Sequence, residues 1–208
     1  MESLVRGGTR WRRFAVVMVP SVAATAAIGV ALAQGALAAS FAVSGQEFKV
    51  TADTLHGTGF VQYGNIDAPS GKGAVPVAVS AFTDATITGL CQSVVVPTPI
   101  GDVTLVLTAG NGSKKVTAKN LYIDIDQLDA DATFTNINIG VADGSTTKGP
   151  PVEDALKNKY PGNFAQEADE ADLTDVKQTA WATSAGTFKL SGLSMRIHKG
   201  SGSSVECY

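Results

Sequence analysis

Few residues in this chain have the types and spacing that enzyme chemistry requires. His56 and His198 are the only histidines, and neither lies in the HxxxH or HExxH pattern of a zinc site. The Gly-x-Ser-x-Gly turn that presents the nucleophile of many serine hydrolases does not occur in the sequence. A Ser-His-Asp triad can be assembled from distant residues, but both histidines are interpreted as surface or turn residues. We therefore predict no catalytic residue, no metal site and no cofactor.

One cluster of carboxylates resembles a metal site. It consists of Asp124, Asp126, Asp129 and Asp131. In a strand, Asp124 and Asp126 lie on the same face, and closely spaced oxygen ligands suit calcium. The segment lacks the loop glycine and the terminal glutamate of an EF-hand. We predict that Asp124 and Asp126 face solvent and bind no metal tightly.

Cys91 and Cys207 are the only cysteines. An even pair of cysteines indicates a disulfide if the chain is exported, for which the N-terminus gives the evidence below, and no CxxC spacing supports the alternatives of reactive thiols or a metal pair. The bridge would join the penultimate residue to the middle of the domain. By chain-entropy arguments, a loop of this length stabilises the fold by roughly 4–5 kcal/mol.

The N-terminus has the layout of an export signal. Arg10, Arg12 and Arg13 precede a stretch without charged residues, Phe14 to Gln46. A basic head followed by an apolar run directs export, and the small residues of Ala36-Leu37-Ala38 permit cleavage directly after them.

The same apolar run is long enough to remain as an anchor. Residues 14–33 number 20, which is the length that an apolar helix needs to cross a bilayer. A cleaved signal and a retained membrane anchor therefore both stay open. We assign residues 1–38 to the signal peptide or anchor, and 39–208 to a single extracytoplasmic domain, secreted or held at the outer face of the cytoplasmic membrane.

The charge of this domain excludes some partners. The whole chain has 16 basic and 19 acidic residues, and the leader contains four of the basic residues and one of the acidic ones. Residues 39–208 therefore have 12 basic and 18 acidic residues, which is a net charge of −6. Nucleic acid requires a basic face. Docking on anionic lipid by charge alone is disfavoured for the same reason.

Alternation of apolar and polar residues predicts strands over most of the domain. Asn111-Gly112 predicts a hairpin turn that joins strands at 103–107 and 115–126, and Ala182–Gly186 predicts a second turn. Residues 150–172 are the exception: a short helix is predicted after the prolines at their start, followed by an exposed acidic loop or short helix.

These elements predict a mainly β fold. We expect an antiparallel sandwich or a strongly curved half-barrel sheet with little helix, preceded by an N-terminal apolar helix. A parallel β-helix is the alternative. Because strands with one apolar face need cover, that face must meet a second sheet, close on itself or bind an apolar molecule.

Three segments carry a resemblance to a known family: Gly8-Thr-Arg-Trp-Arg-Arg-Phe14, Gly57-Thr-Gly-Phe-Val-Gln-Tyr-Gly64 and Gln178-Thr-Ala-Trp-Ala-Thr183. Together they resemble an exported actinobacterial family of unknown function, of the Streptomyces type. Some members of that family carry an automatic label of cholesterol esterase. The resemblance implies a cell-envelope setting and supplies no catalytic residue.

Two functions of different classes follow as expectations. The first is a non-enzymatic envelope protein that presents an apolar sheet face to lipid or to a protein partner, with membrane contact through residues 14–33 if the leader is retained. The second is an esterase acting on hydrophobic, sterol-type esters, as the family label suggests. An open apolar surface favours the first, and a serine bonded to His56 or His198 favours the second.

Overall fold

The computed structural model describes residues 44–152 and 162–208. Its elements in chain order are β1 (Phe48–Asp67), β2 (Val75–Thr88), β3 (Leu90–Val96), β4 (Val103–Ala109), β5 (Val116–Thr135), β6 (Asn138–Ala142), a 3-10 turn (Asp143–Ser145), β7 (Phe164–Lys189) and β8 (Ser194–Lys199). Within these residues no helix is long and apolar enough to cross a membrane. The leader at 1–38, its apolar helix and most of the helix predicted after Pro151 lie outside the described residues.

All eight strands belong to one antiparallel sheet, in the order β6-β7-β5-β2-β1-β3-β4-β8. A further pairing of β7 with β1 closes the ring β1–β2–β5–β7. The predicted mainly β, antiparallel class is therefore confirmed. The alternative of a parallel β-helix is wrong, because every described pairing runs antiparallel.

The predicted hairpin at Asn111-Gly112 is wrong. Strand β4 pairs with β3 and β8, whereas β5 pairs with β2 and β7, so the chain turns at this point but changes partners. Gly110 has φ +73° and lies where an added Cβ would meet backbone and side-chain atoms within 3.5 Å. A local turn signal does not specify which strands pair, because pairing depends on where the apolar faces are buried.

The predicted turn at Ala182–Gly186 is also wrong, as is the acidic loop at 167–172. Both segments lie inside β7, which continues for 26 residues from Phe164 to Lys189. Its early part pairs with β1 and its later part with β5, so small and acidic residues stay in a continuous ladder.

The interior of the ring contains the main core. Its centre is Phe60, whose ring centroid lies 5.3 Å from Phe82 and 5.2 Å from Phe134. Gly57 makes room for this packing, because a Cβ at that position would overlap the ring of Phe82. Small buried residues from β7 complete the layer: Ala168, Ala171 and Ala180.

A second buried cluster lies on the other face of the sheet. It contains Tyr63, Tyr122 and Trp181, together with Val152 from the connection between β6 and β7. The hydroxyl of Tyr122 donates a hydrogen bond to the Pro151 carbonyl, at 3.1 Å. The face of β5 that carries Tyr122 is therefore buried here rather than exposed to solvent, because the connection between β6 and β7 covers it.

Candidate functional site

The predicted disulfide between Cys91 and Cys207 is confirmed. Their Cα atoms lie 5.9 Å apart, and the bond closes a sequence separation of 116 residues. The separation of the Cα atoms falls within the usual range for a disulfide. The bond fixes the C-terminal tail on β3.

Further contacts hold the tail, and we call residues 205–208 with these contacts the C-terminal latch. The ammonium of Lys49 lies 2.8 Å from a carboxylate oxygen of Glu206 and donates to the Tyr208 carbonyl at 3.0 Å. The Cys207 N–H donates to the Ser93 hydroxyl, at 3.1 Å. The hydrogen bond from Lys49 lowers the pKa of Glu206 although burial opposes this. The latch therefore joins β1, β3 and the chain end on one face of the sheet.

Strands β3, β4 and β8 extend the sheet beyond its closed ring, and we call these three strands the flap. Residues that pair in register lie on the same face, and alternate residues along a strand share it. The face opposite the latch is formed by Gln92, Val94 and Val96 of β3, by Val103, Leu105 and Leu107 of β4, and by Met195, Ile197 and Lys199 of β8. We call this set the flap face.

The flap face is apolar and open at its outer strand. Ile197 is 72% exposed and Met195 is 57% exposed, while Leu105 and Leu107, paired with them, are partly buried. Scattered exposed apolar residues are ordinary, but a contiguous apolar surface marks an interaction site. The flap face is therefore the strongest candidate for a functional surface on this domain.

At its inner end the flap face continues into the core of the ring. Leu107 and Phe48 pack against the interior cluster, and Gln92 lines an interior cavity with Val50 and Phe188. This cavity and a second one beside Phe60 each have a volume of about 30 Å³. Each can hold about one water molecule and is too small for a sterol or an acyl chain.

The prediction that Asp124 and Asp126 both face solvent holds for Asp126 only. Asp124 is half-buried and shares a hydrogen bond with Asp67, the last residue of β1. Asp126 is exposed, as predicted. The register of β5 against β7 shifts on either side of Ile125, which separates the two side chains. In the described part of the chain, no group of three or more His, Cys, Asp or Glu side chains could hold a metal ion.

Asp67 is buried, with 7% of its surface exposed. Burial raises the pKa of this carboxyl, and the hydrogen bond with Asp124 offsets part of the rise. The pKa of such a carboxyl group is higher in the folded protein than in the unfolded chain. Its contribution to the free energy of unfolding is therefore fully present at pH values below the unfolded pKa, and it is lost as the pH rises through the folded pKa. Ionised Asp67 therefore destabilises the fold at neutral pH.

We expect Asp67→Asn to raise the free energy of unfolding at neutral pH, because the amide cannot ionise and can still donate to Asp124. The gain should be present at neutral pH and should disappear in acid, below the unfolded pKa, because the native carboxyl is then protonated as well. Urea unfolding across pH measures it, with exposed Asp126→Asn as the control. A loss of stability at neutral pH in Asp67→Asn would contradict the assignment.

Both histidines are placed by the sheet, but neither has a nucleophile. His56 pairs with Asp172 across β1 and β7, with Nδ1 2.6 Å from a carboxylate oxygen and both side chains about half exposed. His198 lies opposite Thr104 on the latch side of β8. Within residues 44–152 and 162–208, no serine hydroxyl bonds to either imidazole. The base and its carboxylate are present at His56, while the serine of a triad is not beside them.

Glu167 is a buried carboxylate with a positioning role. It accepts hydrogen bonds from the N–H groups of Thr147 and Lys148, at 2.6 and 2.8 Å, and from the amide of Asn138, at 3.1 Å. Burial opposes its ionisation, but these bonds lower its pKa overall. Glu167 thus fixes the connection that leads to Val152 over the second core.

Neither the flap face nor the role of Asp67 is evident from the sequence. Alternation at Met195 and Ile197 predicts a strand, yet it does not show which face remains uncovered. Asp67 is far from Asp124 in the chain, so no local sequence pattern shows that their side chains form a hydrogen bond.

The fold and this surface define a disulfide-bonded antiparallel β protein with an open apolar face. The family of unknown function DUF6230 matches residues 44–208, and the chain belongs to that family. No curated protein and no solved structure matches the chain. The predicted membership of a family of unknown function is thereby confirmed.

Proposed function

We propose that this chain is a non-enzymatic, exported cell-envelope protein whose strongly curved sheet presents the flap face to an apolar partner, either lipid or an envelope protein. The carrying observation is the exposure of Met195 and Ile197 on one face of the flap, while the latch occupies the reverse face. The export-type leader and the disulfide support an extracytoplasmic setting.

The position of the latch supports a binding role for the flap. Strand β8 is the outer strand of the sheet and pairs only with β4 among the described elements. The disulfide and the Lys49–Glu206 ion pair hold the C-terminal tail against β3 and β1 on the reverse face of the sheet. A rigid backing lowers the entropy that a surface loses when a partner binds.

An interior ligand has less support, since the two core cavities near Val50 and Phe60 are water-sized. The alternative of an esterase on hydrophobic esters also has less support. Its base would be His56, which bonds to Asp172 at 2.6 Å, but hydrolysis also needs an adjacent nucleophile and donors for the oxyanion.

The proposal is tested with an apolar dye, 1-anilinonaphthalene-8-sulfonate, on the native full chain. We expect dye fluorescence to increase with wild type and to lose most of that increase in Met195→Ser with Ile197→Ser. The control is Ile139→Ser on β6, since Ile139 is similarly exposed at 67%. Equal dye binding by all three proteins, or no binding by folded wild type, would refute the proposal.

A further inference from the structure

We infer that the partner of the flap face is the surface of a phospholipid bilayer. This inference rests on the proposed function and names the occupant of that same surface. Three features of the domain bear on contact with lipid. They are the charges of the flap face, the position at which the chain enters the domain, and the shape of the surface.

The charges of the flap face differ from those of the whole domain. Lys199 is the single charged residue among the nine that form the face, and none of them carries a carboxylate. The domain as a whole has a net charge of −6, from 12 basic and 18 acidic residues. Two copies of so acidic a domain repel each other, whereas a zwitterionic phospholipid surface has no net charge to repel it, and an apolar face with a lysine at its edge suits such a surface.

The entry point of the chain is on the same side. Phe48, the first residue of β1, pairs with Val94 and thus shares its face. The uncharged stretch of the leader runs from residue 14 to residue 46, two positions before Phe48. If residues 14–33 span a bilayer, the 15 residues from Gln34 to Phe48 reach at most about 50 Å. The flap face is then within reach of that same bilayer.

The shape of the surface fits a membrane better than a single lipid molecule. The face lies on three paired strands with an exposed outer edge, and the adjoining interior cavity holds only about 30 Å³. An acyl chain therefore has no pocket there, while exposed side chains such as Ile197 can enter the headgroup boundary. Such a patch binds weakly alone, so stable attachment needs a second anchor, which residues 14–33 supply if the leader is retained.

The test uses the full chain reconstituted in phosphatidylcholine vesicles whose acyl chains carry bromine, a short-range quencher of tryptophan. The probe variant is Ile197→Trp, and the matched control is Thr133→Trp, at an exposed position on β5 away from the flap. The native Trp11 and Trp181 give the same background in both proteins. Thermal melts establish that each variant folds.

We expect brominated lipid to quench the added tryptophan at residue 197 severalfold more than the one at 133. Adding Lys199→Glu to the probe variant should reduce that quenching, because it places a carboxylate at the lipid surface. Equal quenching of the two variants, or none, overturns the inference. If the dye still binds while quenching fails, the proposed function stands and the partner is a protein, which includes a second copy detected by sedimentation.

Discussion

Replacing both cysteines, by Cys91→Ser with Cys207→Ser, should lower the free energy of unfolding by roughly 4 kcal/mol. The reason is the length of the loop: the bond joins residues 116 positions apart, so it removes many conformations from the unfolded chain. Small domains have stabilities of only about 5–15 kcal/mol. The loss should therefore leave the variant marginally folded.

Other contacts of the latch cannot replace the disulfide. The ion pair between Lys49 and Glu206 is 2.8 Å long, but the lysine side chain is about one third exposed. Ion pairs so open to solvent contribute about 0–1 kcal/mol. Once the bond is removed, we expect the tail at 205–208 to detach from Ser93 and Lys49 well before the ring unfolds.

Urea unfolding followed by the fluorescence of buried Trp181 measures this loss, and Ser204→Ala in the same tail serves as the control. Mass analysis under non-reducing conditions should show that each thiol of the wild type has lost its hydrogen. Coincident unfolding midpoints for the oxidised wild type and the double variant, or two free thiols in native protein, would contradict the prediction.

The sequence predicted the class of the fold because its strands are strongly patterned. Leu121, Ile123 and Ile125 alternate with polar or half-polar neighbours, and all three are buried in the core. The disulfide was predictable for a different reason, since two cysteines allow only one intramolecular pair. Both inferences depend on local pattern or on counting.

Strand pairing was not predictable in the same way. The chain turns at Asn111-Gly112, but β4 before the turn pairs with β3, whereas β5 after the turn pairs with β2. Register and partner choice depend on contacts between residues distant in sequence. The flap face was not predictable for the same reason. It is open because the closed ring and the latch leave it uncovered, and the sequence of β8 alone does not determine this.

The family-specific segments also have a structural explanation. Gly57 leaves space for Phe82, and Gln62, five residues later, donates to the Ser80 hydroxyl at 2.7 Å. In the third segment, Gln178 and Trp181 are both buried, and the first segment, residues 8–14, lies outside the described residues. These segments therefore mark how the ring packs rather than where chemistry occurs, which agrees with a proposed function that needs no catalytic residue.

The second large effect is expected at the centre of the ring: Phe60→Ala should lower the free energy of unfolding by about 3–5 kcal/mol. Phe60 is 3% exposed and contacts two other rings. Its truncation removes buried apolar surface and leaves a cavity that a closed sheet cannot collapse around, because its strands are fixed by pairing on both sides.

The matched control is Phe164→Ala, because Phe164 is the same residue type at 62% exposure, and a surface change of this kind alters stability by at most about 0.5 kcal/mol. Urea unfolding gives both values on one scale. A similar small loss in both variants would mean that the aromatic cluster of Phe60, Phe82 and Phe134 does not hold the ring together. A large loss confined to Phe60→Ala would instead show that the packed aromatic interior, and not exposed apolar residues such as Phe164, holds the ring together.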